Sequence, residues 1–218
     1  MVIFQEGILS NILSIVFIIL IFSGWFDWYF VKKENLYLKN TFLAVGVLAF
    51  FFTFVTIPIP NLNWKLSIGG FVFPMVFYFW IWLKISSEEK LQLFASTILL
   101  SAIYFLIKEL IRLDPILLFW EQNLEIAFIL SIVIVTVSLQ LTHRLILVFG
   151  SHVFGEFIFH FHHRHFNYPL ILGDGGFRDL LWLSVIDIMV LHLVLQWVVQ
   201  KIKLKKPIKI WKTRGKEH

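Results

Sequence analysis

The sequence predicts an all-α, polytopic transmembrane helix bundle, and three observations carry that prediction. Apolar segments long enough to cross a bilayer recur from Ile8 almost to Gln200. Charged residues, 15% of the chain, gather between those segments and after the last of them. Hydrophobic residues make up 59% of the 218 positions and the mean hydropathy is +0.82, more apolar surface than a water-exposed fold of this size can hide. A bilayer core of about 30 Å needs about 20 mainly apolar residues in a helix, and a helix satisfies its own backbone polar groups there. No polar stretch is long enough to enclose a second core, so residues 1–200 read as one membrane domain and 201–218 as a basic cytoplasmic tail.

Seven helices are expected, at Ile8–Phe30, Phe42–Ile57, Phe71–Ile85, Leu91–Ile111, Leu124–Leu141, Leu145–Phe161 and Leu180–Val199. The first has no basic residue ahead of its apolar run and no small-residue cleavage site behind it, so it reads as a retained helix. Its continuation through Trp25, Trp28 and Tyr29 has the composition of an interfacial aromatic belt. The second stops at Pro58 and Pro60, where a donor is missing and the preceding residue is restricted, and Asn61–Gly70 reads as a turn. After the fourth, Asp114 and Pro115 have the chemistry of an N-cap and first helical position, and Ile116–Trp120 suits a short helix in the interface or an aromatic-anchored loop. The sixth segment is short and holds His152 and Glu156. If it is re-entrant or interfacial, the count falls to six.

Lysine and arginine in short loops stay on the cytoplasmic side during insertion. Lys32, Lys33 and Lys39 place the first loop inside, Lys84 and Lys90 the third, and the tail from Lys201 to Lys216 is the strongest signal. An inside first loop and an inside C-terminus require an odd number of crossings, hence seven helices and an outside N-terminus. The net charge of +5 belongs largely to that tail, directly after a hydrophobic helix, so the expected partners are the bilayer and its anionic headgroups rather than nucleic acid. The absence of cysteine excludes disulfides and thiolate metal sites.

The densest chemistry lies between His152 and His165. In a helix, His152, Glu156, His160 and His163 fall at i, i+4, i+8 and i+11, one stripe about 80° wide. Imidazole and carboxylate suit a transition metal, and groups one turn apart can reach one ion. A stripe spanning three turns cannot close around an ion alone, so His143, Asp187 and His192 are the candidate donors from elsewhere. A proton-linked role and a purely structural one use the same residues, because an ionisable group at membrane depth needs a partner in the bundle interior. Asp187, in the last helix, reads as a hydrogen-bonded acid joining two helices or a proton relay. Glu121 and Glu125, one turn apart near the membrane surface, read as a solvated pair, and Asp174–Gly176 as an Asp-Gly turn. His160, His162 and His163 form an HxHH run, but the further histidine boxes of membrane di-iron enzymes are absent, as are G-x-S-x-G and the P-loop pattern.

Gly69-Gly70, Asp114-Pro115, Gly155-Glu156 and Gly173-Asp174 leading to Asp179 form a layout, spread over most of the chain, that resembles the YphA-like membrane proteins of spore-forming Gram-positive bacteria. The resemblance implies a bacterial cytoplasmic membrane location and carries over no catalytic residue. The histidine run is not part of its pattern. The functional expectation is a non-enzymatic membrane component or scaffold. Its rivals are a transition-metal or proton-coupled transporter using the stripe and a metal-dependent membrane enzyme acting on lipid. A transporter would line a hydrated cavity with the stripe, whereas a scaffold would pack it.

Overall fold

The computed structural model describes residues 6–24, 40, 43–44, 46–60, 64–114, 116, 121–164 and 170–205. Seven helices appear among them: α1 (Ile8–Phe22), α2 (helical at 40, 43–44 and 46–51), α3 (Phe73–Leu83), α4 (Ser87–Leu113), α5 (Gln122–Val137), α6 (Leu141–His162) and α7 (Gly175–Lys205). Trp25, Trp28, Tyr29, Lys32, Lys33, Lys39, Pro115, residues 117–120, His165 and the tail beyond Lys205 lie outside the described residues.

Three helices, Ser87–Leu113, Leu141–His162 and Gly175–Val199, are long and apolar enough to cross a membrane. The sixth helix is neither short nor peripheral. Its apolar window is 67% buried, against 28% for each of the other two, which makes α6 the central rod of the bundle. It packs against α3, α4 and α7, while α1 and α5 pack on α7. Outward-facing residues such as Ile19, Phe51, Leu99, Leu106 and Trp197 form an apolar exterior that is a hazard in water and a match for lipid tails.

Two expectations are corrected. The second helix does not continue to Ile57, because residues Thr56–Ile59 form strand β1. Nor is Asn61–Gly70 only a turn, since Trp64–Ser67 is strand β2 and Ile68–Val72 a π-helical turn leading into α3. With Leu170–Leu172 as β3, these make a three-stranded sheet in the order β1-β2-β3, antiparallel and then parallel. The physical reason is legible in β1: β-branched Thr56, Ile57 and Ile59 favour extended backbone, and Pro58, lacking an N–H, is tolerated because β1 is an edge strand.

Glycines weld this sheet to the helices. A Cβ on Gly70 would lie 2.0 Å from the Gly173 carbonyl oxygen, and Gly173 itself has φ +77, the left-handed region that favours glycine. Asp174 then opens α7, its Oδ1 accepting the Phe177 N–H at 2.8 Å, so the helix begins earlier than the Asp-Gly turn reading expects. One turn on, the buried Asp179 carboxylate accepts the N–H groups of Gly7 and Ser10 at 2.8 and 2.6 Å. A carboxylate from α7 thereby satisfies orphan donors at the positive end of α1 and sets α1 parallel to α7. At the far end of α4, Asp114 terminates the helix and its Oδ1 accepts the Ile116 N–H at 3.1 Å.

Candidate functional site

The four stripe residues lie on the buried face of α6: His152 and Glu156 are 0% exposed, His160 6% and His163 3%. What meets them comes mainly from α4, which runs parallel to α6. Thr97, Ser101 and Tyr104 recur along the buried face of α4, and Gly150 and Gly155 remove the side chains that would hold the two helices apart. A Cβ on Gly155 would stand 2.6 Å from the Tyr104 ring. Close approach at Gly155 is therefore what delivers the Tyr104 hydroxyl to the next residue.

Glu156 is the centre of the network. Tyr104 Oη and Lys108 Nζ both donate to its Oε2 at 2.6 Å, while His160 Nδ1 stands 3.3 Å from Oε1 and donates to the Glu156 carbonyl at 3.0 Å. The Lys108 ammonium also lies 4.6 Å from the Phe159 ring centroid, a favourable cation–π position. A lone carboxylate could not stay charged in this interior, but an ammonium and a phenol on one oxygen supply charge-assisted hydrogen bonds in place of water.

His152 is held by both ring nitrogens. Nδ1 lies 2.8 Å from the Val148 carbonyl, which can only accept, so Nδ1 carries the proton and Nε2 accepts the Ser184 hydroxyl at 2.9 Å. The ring packs edge-on to Tyr104 at 5.3 Å. Ser131 of α5 reaches the Ser184 carbonyl at 3.4 Å, so polar links cross from α5 through α7 and α6 to α4.

The expected outside donors do not complete the stripe. His143 stands 3.5 Å from Glu89, at the opposite end of α6. His192 Nδ1 accepts from Arg144 at 2.7 Å and its Nε2 meets the Gln196 amide at 2.9 Å. Asp187 is half-buried on α7, outside this network. Glu121 and Glu125 lie at and just inside the start of α5 and are exposed and partly buried.

Several residues central to this arrangement have no counterpart in the sequence reading. Tyr104 and Lys108 are one, visible in hindsight as a phenol and a cation one turn apart on α4. Arg144 is another. It is 1% exposed, and its guanidinium donates to the Ser138 and Val135 carbonyls at 2.7 and 3.3 Å as well as to His192. One buried cation thus closes the C-terminal end of α5 and ties it to α6 and α7.

Glu109 is the third. Its carboxylate, in the last turns of α4, meets the end of α6, and one ligand atom from each of Glu109, His162 and His163 lies within 4.8 Å of the others. Of the four predicted metal ligands only His163 belongs to this trio. A small, mainly apolar cavity opens elsewhere, lined by Ser10, Ser14, Gly70, Phe77, Arg178 and Trp182 among others, and no stripe residue lines it.

No curated protein and no solved structure matches this chain. A family model described as YphA-like integral membrane protein matches residues 8–214. Within that span lie Gly70 against Gly173, Gly155 beside Glu156, and Asp179 at the start of α1, each now with a packing or hydrogen-bonding reason. With nearly its whole length matched and its helices apolar enough for lipid, the chain belongs to the YphA-like integral membrane protein family.

Proposed function

We propose that this protein is a non-enzymatic, multi-pass component of a bacterial cytoplasmic membrane, in which the polar stripe of α6 locks helices together. The observation that carries the reading is Glu156: its side chain is 0% exposed and Lys108 and Tyr104 both hold it at 2.6 Å. A transporter needs its polar groups within reach of cargo, yet His152 has both ring nitrogens committed and the stripe stands apart from the cavity. A lipid-processing metalloenzyme needs an open ligand position beside a substrate groove. Within the stripe, Glu156 is taken up by Tyr104 and Lys108 and His152 by Val148 and Ser184, which favours the locking role for these two residues.

An outside N-terminus and a cytoplasmic C-terminus fit the placement of lysine and tryptophan. Lys84 stacks on Trp80 and Lys201 on Trp197, each at 3.7 Å, at the C-terminal ends of α3 and α7. Interfacial cation–aromatic pairs of this kind suit the lysine-rich face of a membrane. The parallel course of α1 and α7 supports the odd number of crossings that this orientation requires. The basic tail then faces anionic lipid.

Reconstitution into liposomes tests the proposal. Protein-containing vesicles are expected to show no more proton or zinc flux than empty ones, and Glu156→Ala is expected to lower thermal stability. A protein-dependent flux that disappears in a folded Glu156→Gln variant would contradict it.

A further inference from the structure

We propose that Glu109, His162 and His163, where the ends of α4 and α6 meet, form a binding site for one divalent transition-metal ion, with zinc the best fit. This site is distinct from the Glu156 network and goes beyond the scaffold reading.

The argument begins with a tautomer. His163 Nδ1 lies 2.8 Å from the Phe159 carbonyl oxygen, an acceptor only, so the proton sits on Nδ1. That leaves the Nε2 lone pair facing Glu109 Oε2 at 3.3 Å. An imidazole nitrogen and a carboxylate oxygen at that distance are placed to share one metal ion, and the nearest nitrogen of His162 completes a set whose ligand atoms lie within 4.8 Å of one another. The arrangement of His163 has the form a metal ligand takes, since a ligating imidazole usually donates its other N–H to a carbonyl or carboxylate that fixes the ring.

His162 supplies the third group. Its ring stands edge-on to Phe105 at 5.5 Å and to His163 at 5.1 Å, and the residue is exposed, so a small rotation brings a nitrogen to the ion and leaves water free to fill the remaining position. Two imidazoles, one carboxylate and a water form a tetrahedral set suited to zinc. α4 and α6 run parallel and both end here, so the carbonyl ends of two helices favour a cation at this point. Arg112 is the opposing charge. Its Nη2 bonds Glu109 Oε1 at 2.5 Å and its Nε bonds Oε2 at 3.0 Å. In the metal-bound form Oε1 keeps the guanidinium, which holds the carboxylate plane, while Oε2 turns to the ion.

The test is zinc titration of the full chain in detergent, stripped with chelator beforehand, followed by calorimetry and elemental analysis. One zinc per chain is expected. Glu109→Ala, His162→Ala and His163→Ala should each weaken binding by about tenfold or more, and His143→Ala, at the other end of the bundle, should leave it unchanged. His162 is exposed, so its variant is expected to unfold at the wild-type temperature and keeps the test informative if the buried His163 variant misfolds. Absence of zinc binding by chain that thermal unfolding shows to be folded would overturn the proposal. Equal binding by the wild type and a folded His162→Ala variant would overturn it as well.

Discussion

Gly155 and Glu156 do one job between them. The glycine admits the Tyr104 ring and the glutamate receives its hydroxyl. Gly155→Ala places a methyl group 2.6 Å from that ring and is expected to destabilise by about 1–3 kcal/mol, read as a lower unfolding temperature in detergent. Gly176→Ala is the control. The nearest atom to its added Cβ is Asp174 Oδ1 at 3.6 Å, an ordinary contact, so stability should hold or rise slightly because alanine is the better helix former. At this scale the sequence was half legible. Helical periodicity put His152, Glu156, His160 and His163 on one face, and all four are buried on α6. Their partners could not be read off, because Lys108 and Tyr104 are 48 and 52 residues away and one-dimensional spacing contains no information about which helix packs on which.

At the scale of elements, the apolar runs are legible as helices and the small sheet is not. Strands of four, four and three residues are too short to establish a period of two, and β2 pairs in parallel with β3 from the far side of α3, α4, α5 and α6. The clues lie in the punctuation: Pro58 and Pro60 after β-branched residues, and Gly70 and Gly173 on the two sides of a contact that no sequence window spans. Gly70→Ala tests whether that contact organises the sheet and the start of α7. Its Cβ would overlap the Gly173 carbonyl oxygen at 2.0 Å, backbone against backbone, so the variant is expected to lose more stability than Gly155→Ala and to yield less monodisperse protein. A Gly70→Ala protein that unfolds at the wild-type temperature would mean that the backbones of Gly70 and Gly173 are not in close contact at the junction between β2, α3 and α7.

For the molecule as a whole, the proposed orientation puts the start of α5 and the end of α7 on opposite sides of the membrane. The chain has no cysteine, so single introduced cysteines report without background. Glu121→Cys is expected to react with a membrane-impermeant maleimide from outside intact cells, and Lys201→Cys, exposed at the end of α7, only after permeabilisation. The reverse pattern would invert the topology. The central claim is that the buried charges lock helices rather than move cargo, and equilibrium unfolding of a Lys108 and Glu156 double-mutant cycle tests it most directly. Lys108→Met is predicted to cost about 3–5 kcal/mol, because it leaves the fully buried Glu156 carboxylate without its cation, and Glu156→Gln to cost less, because Lys108 is only partly buried. The double variant is predicted to recover most of that loss, since the glutamine carbonyl still accepts from Tyr104 and no unpaired charge remains. Single variants as stable as wild type, or losses that simply add, would contradict the account.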